Sequence, residues 1–207
     1  MRNFLFALLL CCFTWGATAQ VPPQEDNVVT RFAVKVEKSR LAVDYSFVLH
    51  DKTRMTGKGA VVIQSDAFKL NENGLEIYCD GKSRWIVDRE AKEVAIEPGM
   101  LDAGPANPVS LLTEINTLFT IGEMQEGVFQ NKPVHYSILA ARQAGDIHLM
   151  KLYFQGEHPV GMIVTLSDDR IIEIAFNSVM FTEKGDKSDF EFKTDGLDSS
   201  WIVNDLR

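Results

Sequence analysis

From residue 41 onward the sequence runs on a period of two, and this alternation limits the fold more than any other feature. Val43, Tyr45, Phe47 and Leu49 alternate with Ala42, Asp44, Ser46 and Val48. Successive side chains of a strand point to opposite faces, so such a run offers one apolar face and one more polar face. Residues 57–63 read as a second strand. Leu75, Ile77 and Cys79 then alternate with Glu76, Tyr78 and Asp80, and Asp80-Gly81 is a tight-turn dipeptide ahead of the next run. That combination is the strongest short hairpin signal. Residues 83–87 and 92–96 continue the meander. Residues 134–140, 147–154, 160–166, 170–181 and 189–192 supply further candidate strands, separated by short polar turns such as Ser167-Asp168-Asp169. About ten strands with short connections make a curled antiparallel sheet, open or closed.

Two stretches interrupt this rhythm. Val28, Val29, Phe32 and Val36 recur at helical spacing behind Asn27, a candidate N-cap, and predict an amphipathic helix over 28–38. Residues 99–108 are rich in Gly, Pro and Asn. Asn107-Pro108 then has the chemistry of a helix start, and Leu111, Leu112, Ile115, Leu118 and Phe119 fall on one helical arc. Residues 121–129 read as a second short helical or irregular piece. The helix at 108–119 either plugs the core or caps an apolar cavity; periodicity leaves both open.

Residues 1–19 read as a signal peptide. Arg2 gives a positive start, an apolar run follows to Trp15, and Ala17-Thr18-Ala19 has the small-x-small pattern of a cleavage site ahead of Gln20. Cys11 and Cys12 lie inside the apolar run rather than at the cut, so no lipid anchor is expected. Cleavage leaves Cys79 as the only cysteine, which excludes an internal disulfide. It also removes a positive charge from a chain whose net charge is already −8. That balance argues against nucleic acid as a partner. The expected organisation is a secreted precursor with a single domain over 20–207.

The residues carry no catalytic signature. His50, His135, His148 and His158 stand at no recognised metal-ligand spacing, and nucleophile elbows and phosphate-binding glycine loops are absent. Cys79 falls on the apolar phase of its strand and reads as a buried thiol. Trp85 reads either as core or as the wall of a cavity. The chain is therefore read as a non-enzyme with no cofactor and no metal.

One family resemblance rests on several motifs in order. Gly57-Lys58-Gly59-Ala60-Val61-Val62-Ile63, Phe68-Lys69-Leu70, Asp80-Gly81-Lys82-Ser83-Arg84-Trp85 and Asn107-Pro108-Val109-Ser110-Leu111-Leu112 resemble the outer-membrane lipoprotein carriers of the LolA type. The resemblance implies an unclosed antiparallel half-barrel, here of about ten to eleven strands, with a helical lid and an N-terminal helix. It implies a periplasmic carrier, without catalysis, that shields the acyl chains of lipoproteins or another lipid between inner and outer membranes. The implied partners are the acylated cargo, an inner-membrane donor complex and an outer-membrane acceptor, with the carrier itself a monomer. The family's phenylalanine maps onto Phe68, and with the apolar phases of the strands and helix the candidate lipid-binding residues are Phe68, Leu70, Trp85, Val87, Leu111, Leu112, Ile115, Phe119, Phe154, Met162 and Phe176. The family's arginine that latches the lid is missing: Ser65-Asp66 stand near its place, which marks a divergent member. The rival reading is a non-catalytic envelope interaction or sensor domain whose core is filled.

Overall fold

A computed structural model describes residues 27–99 and 108–207. The expected signal peptide lies outside the described residues. The helix α1 covers Val28–Lys38. Asn27 caps it, accepting a hydrogen bond from the Thr30 amide at 3.0 Å. Lys35 and Lys38 in its last turn oppose the negative end of the helix dipole. Val29, Phe32, Ala33 and Val36 form its buried stripe.

Among the described residues twelve strands follow, in one sheet. They are β1 (Arg40–His50), β2 (Arg54–Gln64), β3 (Ala67–Glu72), β4 (Leu75–Cys79), β5 (Ser83–Asp88), β6 (Glu93–Pro98), β7 (Phe119–Phe129), β8 (Lys132–Ala141), β9 (Ile147–Gln155), β10 (His158–Leu166), β11 (Ile171–Thr182) and β12 (Ile202–Asp205). Their spatial order is β12-β6-β5-β4-β3-β2-β1-β11-β10-β9-β8-β7. Every pairing is antiparallel except that of β12 with β6. The ends of this order, β12 and β7, do not pair with each other, so the sheet curls without closing.

Between β6 and β7 lie α2 (Pro108–Thr113) and α3 (Ile115–Leu118). The expected single helix over 108–119 is thus two short ones broken at Glu114, with Phe119 already in β7. Residues 121–129 are strand rather than helix or loop, because β7 pairs with β8 along most of its length. Residues 189–192 are not a strand: a 3-10 turn occupies Lys187–Phe190, with the Asp186 carboxylate accepting from the Ser188 amide at 2.8 Å. The strands β3, β7 and β12, less the expected strand at 189–192, bring the count to twelve against the expected ten to eleven.

The register explains the Gly57-Lys58-Gly59 motif. Gly59 faces Tyr45 and Gly57 faces Phe47 across the β1–β2 ladder. A Cβ on Gly59 would stand 2.6 Å from the Tyr45 ring and its hydroxyl. The bare glycine backbone therefore lets an aromatic ring lie flat over the next strand, a known way to fill the gap a strand glycine leaves. The ring is pinned, because the Tyr45 hydroxyl donates to Glu72 Oε2 at 2.6 Å.

One ladder is cut short. β10 and β11 pair only from Gly161 opposite Ala175 to Thr165 opposite Ile171. Just beyond that point both strands carry bulges: Val160 has no opposite number on β9, and Asn177 has none on β1. Bulges bend strands and end pairing. The sheet splits here, and α1 lies over the split: Phe32 makes edge-to-face contacts with Phe154 of β9 at 5.9 Å and Phe181 of β11 at 6.1 Å.

The pinned Tyr45 ring generates a test. Gly59→Val should displace it and cost about 1–3 kcal/mol in urea unfolding. Gly145→Ala, where a Cβ meets nothing within 4 Å, should stay within about 0.5 kcal/mol of the parent.

Candidate functional site

The concave face is built by the apolar phase of neighbouring strands. Leu41, Val43, Tyr45 and Phe47 of β1 continue sideways into Val61 and Ile63 of β2, then Phe68 and Leu70 of β3, then Ile77 and Cys79 of β4. On the other side they continue into Ile174 and Phe176 of β11, Met162 of β10 and Leu152 of β9. The three helices cover this face. Leu111, Leu112, Ile115, Phe119, Phe154 and Met162 are each 2% exposed or less and belong to one apolar cluster with Phe68. Leu70 and Phe176 are partly buried at its margin. α2 packs on α1 and β2, and α3 packs on α1 and β7.

Trp85 and Val87 are not part of this surface. They share a face with Tyr78 and Glu76, their register partners on β4, and that face is the convex one. There they form a second cluster with Val94 and Ile96, against which Phe192, Leu197 and Trp201 of the C-terminal segment pack. Alternation places Ile86, not Trp85, on the concave side, opposite Ile77. The sequence phase was readable, but the pairing that assigns a face to it was not.

The cover is incomplete. Toward the β1–β2 turn, Phe47, Leu49, Leu70 and Ile77 are only partly buried, and Met55 beside Leu49 is 58% exposed. Of these, sequence reasoning named Leu70 alone as a site residue, and it missed Phe32, although all stand on the right phase of their elements. At the split between β10 and β11 an open groove of about 520 Å³ runs between α1 and the sheet. Val28, Phe32, Pro159, Val179 and Phe181 line it, with Arg31, Lys35, Glu157, His158 and Met180. An Arg31–Glu157 ion pair at 3.0 Å joins the helix side to the sheet side, and the Lys35 ammonium sits 4.3 Å from the Phe181 ring centroid. Both ion-pair side chains are well exposed, so the pair adds little to stability.

Burial dominates the electrostatics of the face. Burial raises the Tyr45 phenol well above its ordinary pKa, and its hydrogen bond to Glu72 adds to the shift. Burial likewise raises the Cys79 thiol. All four histidines are exposed. Among the described residues, no three His, Cys, Asp or Glu side chains come together as a metal site. The place of the missing arginine is a tight turn: Ser65 and Asp66 bond to Lys184 and Lys187. Gln64 exchanges two hydrogen bonds with the Gly185 backbone, and Arg40 pairs with Asp189 at 2.9 Å. That corner holds the C-terminal segment, not the helices. Asp80-Gly81 is the expected turn: the Asp80 carboxylate accepts from the amides of Lys82 and Ser83, and Gly81 has φ +90°.

Known family profiles do not match this chain, and no curated protein matches it. Solved structures do. An uncharacterized conserved protein from Thermus thermophilus is similar at a TM-score of 0.51 and 9% identity, over 86% of this chain and 96% of that one. A LolA superfamily protein from Nitrosomonas europaea reaches 0.44 at 8% identity, over 79% and 97%. A putative outer membrane lipoprotein-sorting protein domain from Vibrio parahaemolyticus reaches 0.35 at 10% identity, over 78% and 94%. The first similarity shows a shared fold. That fold is a curled, unclosed antiparallel sheet with helices over its concave face. Among the described residues, no helix is long and apolar enough to cross a membrane.

The buried thiol can be checked directly. In the chain from residue 20 on, Cys79 should resist Ellman's reagent at pH 8 while folded, because burial favours the neutral thiol over the reactive thiolate. It should react at the rate of a free thiol in denaturant. Fast labelling of the folded protein would place Cys79 at an exposed edge.

Proposed function

We propose that this protein is a periplasmic carrier that holds the acyl chains of lipoproteins, or of another lipid, against the concave face of its sheet without catalysing a reaction. One observation carries the reading: an unclosed apolar sheet face is covered by α1 and by two very short helices, α2 and α3, and beyond them the same face runs on partly open through Phe47, Leu49, Leu70 and Ile77. A signal peptide over residues 1–19 and a mature domain over 20–207 would deliver such a protein across the inner membrane.

The magnitudes suit reversible carriage. Burying one methylene gains ~0.8 kcal/mol, so a long acyl chain gains roughly 10 kcal/mol. Displacing Leu111, Leu112 and Ile115 from their buried positions costs about 1.5–3 kcal/mol each. Cargo and cover thus compete on the same scale: the chain wins the face when present, and the helices return when it leaves. Phe68, Leu70, Phe154, Met162, Phe176 and the helix residues are the proposed lining on this reading, with Phe47, Leu49 and Ile77 added. Trp85 and Val87 drop out, since they face the convex cluster.

A second reading has its own support. The covered part of the face is filled by the protein's own side chains, with Phe154 and Ile115 fully buried. A filled core suits an envelope interaction or sensor domain. Two measurements separate the readings. The mature protein, purified from the periplasm and extracted with organic solvent, should yield lipid, and it should bind a fluorescent fatty-acid probe. Leu112→Asp should weaken probe binding at least tenfold and lower Tm, because a charge among apolar side chains is costly, while leaving a folded sheet by far-UV circular dichroism. Absence of both extracted lipid and probe binding in the parent protein would leave the filled-core reading standing.

A further inference from the structure

Among the described residues, one buried side-chain polar atom has no hydrogen-bond partner: Ser110 Oγ, in the first turn of α2. Ser110 is 4% exposed, and its neighbours Val109, Leu111 and Leu112 are 1–2% exposed. The hydroxyl is therefore buried in a helix whose other buried side chains are apolar. Other polar groups of the same helix are used: Thr113 Oγ1 donates to the Val109 carbonyl at 2.9 Å, and the Glu114 amide donates to the Ser110 carbonyl at 3.0 Å.

Buried hydroxyls are nearly always satisfied, because leaving one unmade forfeits its bonds to water without return. An alanine at position 110 would keep the helix, with better helix propensity than serine, and would remove the orphan. A serine here is thus a defect of the conformation described. A defect of that state becomes an asset if the open or loaded state gives the hydroxyl a partner.

We propose that Ser110 is a polar contact of the cargo site, its hydroxyl donating a hydrogen bond to the carbonyl oxygen of an ester-linked acyl chain. This rests on the carrier reading above and adds to it the chemical class of the group at the polar end of the chain. An acyl ester is a long apolar body with a carbonyl acceptor at one end and no donor of its own. A surface lined by Leu111, Leu112 and Ile115 suits the first part, and a lone hydroxyl donor suits the second. Filling the donor only when cargo is present makes the contact one that favours the loaded state over the empty one.

The experiment uses two glycerolipids of equal chain length, one ester-linked and one ether-linked, titrated into the protein and its Ser110→Ala and Ser110→Thr variants by displacement of a fluorescent fatty-acid probe. The ether lacks the carbonyl and is otherwise nearly the same body. The parent should prefer the ester by about fivefold, on the scale of one hydrogen bond. Ser110→Ala should lose that preference and, when empty, should melt a few degrees higher. Ser110→Thr, which keeps the hydroxyl, should retain the preference. Equal binding of ester and ether by the parent, or an unchanged preference in Ser110→Ala, overturns this proposal and leaves the carrier reading intact. Binding of neither lipid nor probe by the parent overturns the carrier reading and this proposal together.

Discussion

An apolar sheet face that does not close on itself must be covered by something else, and most of this structure follows from that constraint. The concave face runs from Cys79 on β4 through Tyr45 on β1 to Leu152 on β9, and its ends never meet. Left open it would be a large apolar patch, which folded proteins keep for partners or ligands. The helices meet the need over its middle. Phe32 seats α1 between Phe154 and Phe181 where the β10–β11 ladder stops. α2 and α3 then bring Leu111, Leu112 and Ile115 onto the remaining surface.

The two faces of the sheet are handled differently. On the convex side, Trp85, Val87, Val94 and Ile96 are sealed by Phe192, Leu197 and Trp201, and the strap that carries these residues ends as β12 alongside β6. Strand pairing and the hydrogen bonds of Gln64, Arg40 and Asp66 to residues 185–189 hold that strap in place. On the concave side, beside the longer α1, the cover includes α2 and α3, helices of six and four residues that make no ladder bonds. Isolated helices so short have almost no stability of their own. Their attachment depends on side-chain packing. The two clusters thus differ in how they are held: one by strand pairing and hydrogen bonds, the other by packing.

Much of this was legible in the sequence because alternation is a local property. The strands at 40–50, 75–79 and 147–155, the capped helix at 28–38 and the Asp80-Gly81 turn could all be read from spacing and turn chemistry. The strand β3 was not, although Asn73-Gly74 stands between Glu72 and Leu75 as a turn dipeptide. The strand β7 reads as helix or loop because Gly122, Gly127 and charged residues dilute its alternation; its pairing with β8 decides the matter. Face assignment was the larger gap. Trp85 and Phe68 both sit on clean apolar phases, yet the β3–β4–β5 register puts them on opposite sides. The phase is written in each strand, but which phase looks inward depends on partners far away in sequence. The orphan hydroxyl of Ser110 had no sequence signal at all, since a serine near a helix start normally reads as a cap.

The central claim is that acyl cargo displaces α2 and α3 from the concave face while the sheet stays intact. Amide hydrogen exchange, followed by mass spectrometry on the mature protein with and without a saturating ester-linked lipid, tests it most directly. The account predicts that peptides covering 108–118 exchange faster when lipid is bound, while those of β1 and β11 keep their protection. Saturable lipid binding that leaves 108–118 as protected as in the empty protein would contradict it, and would place the lipid somewhere other than beneath the helices.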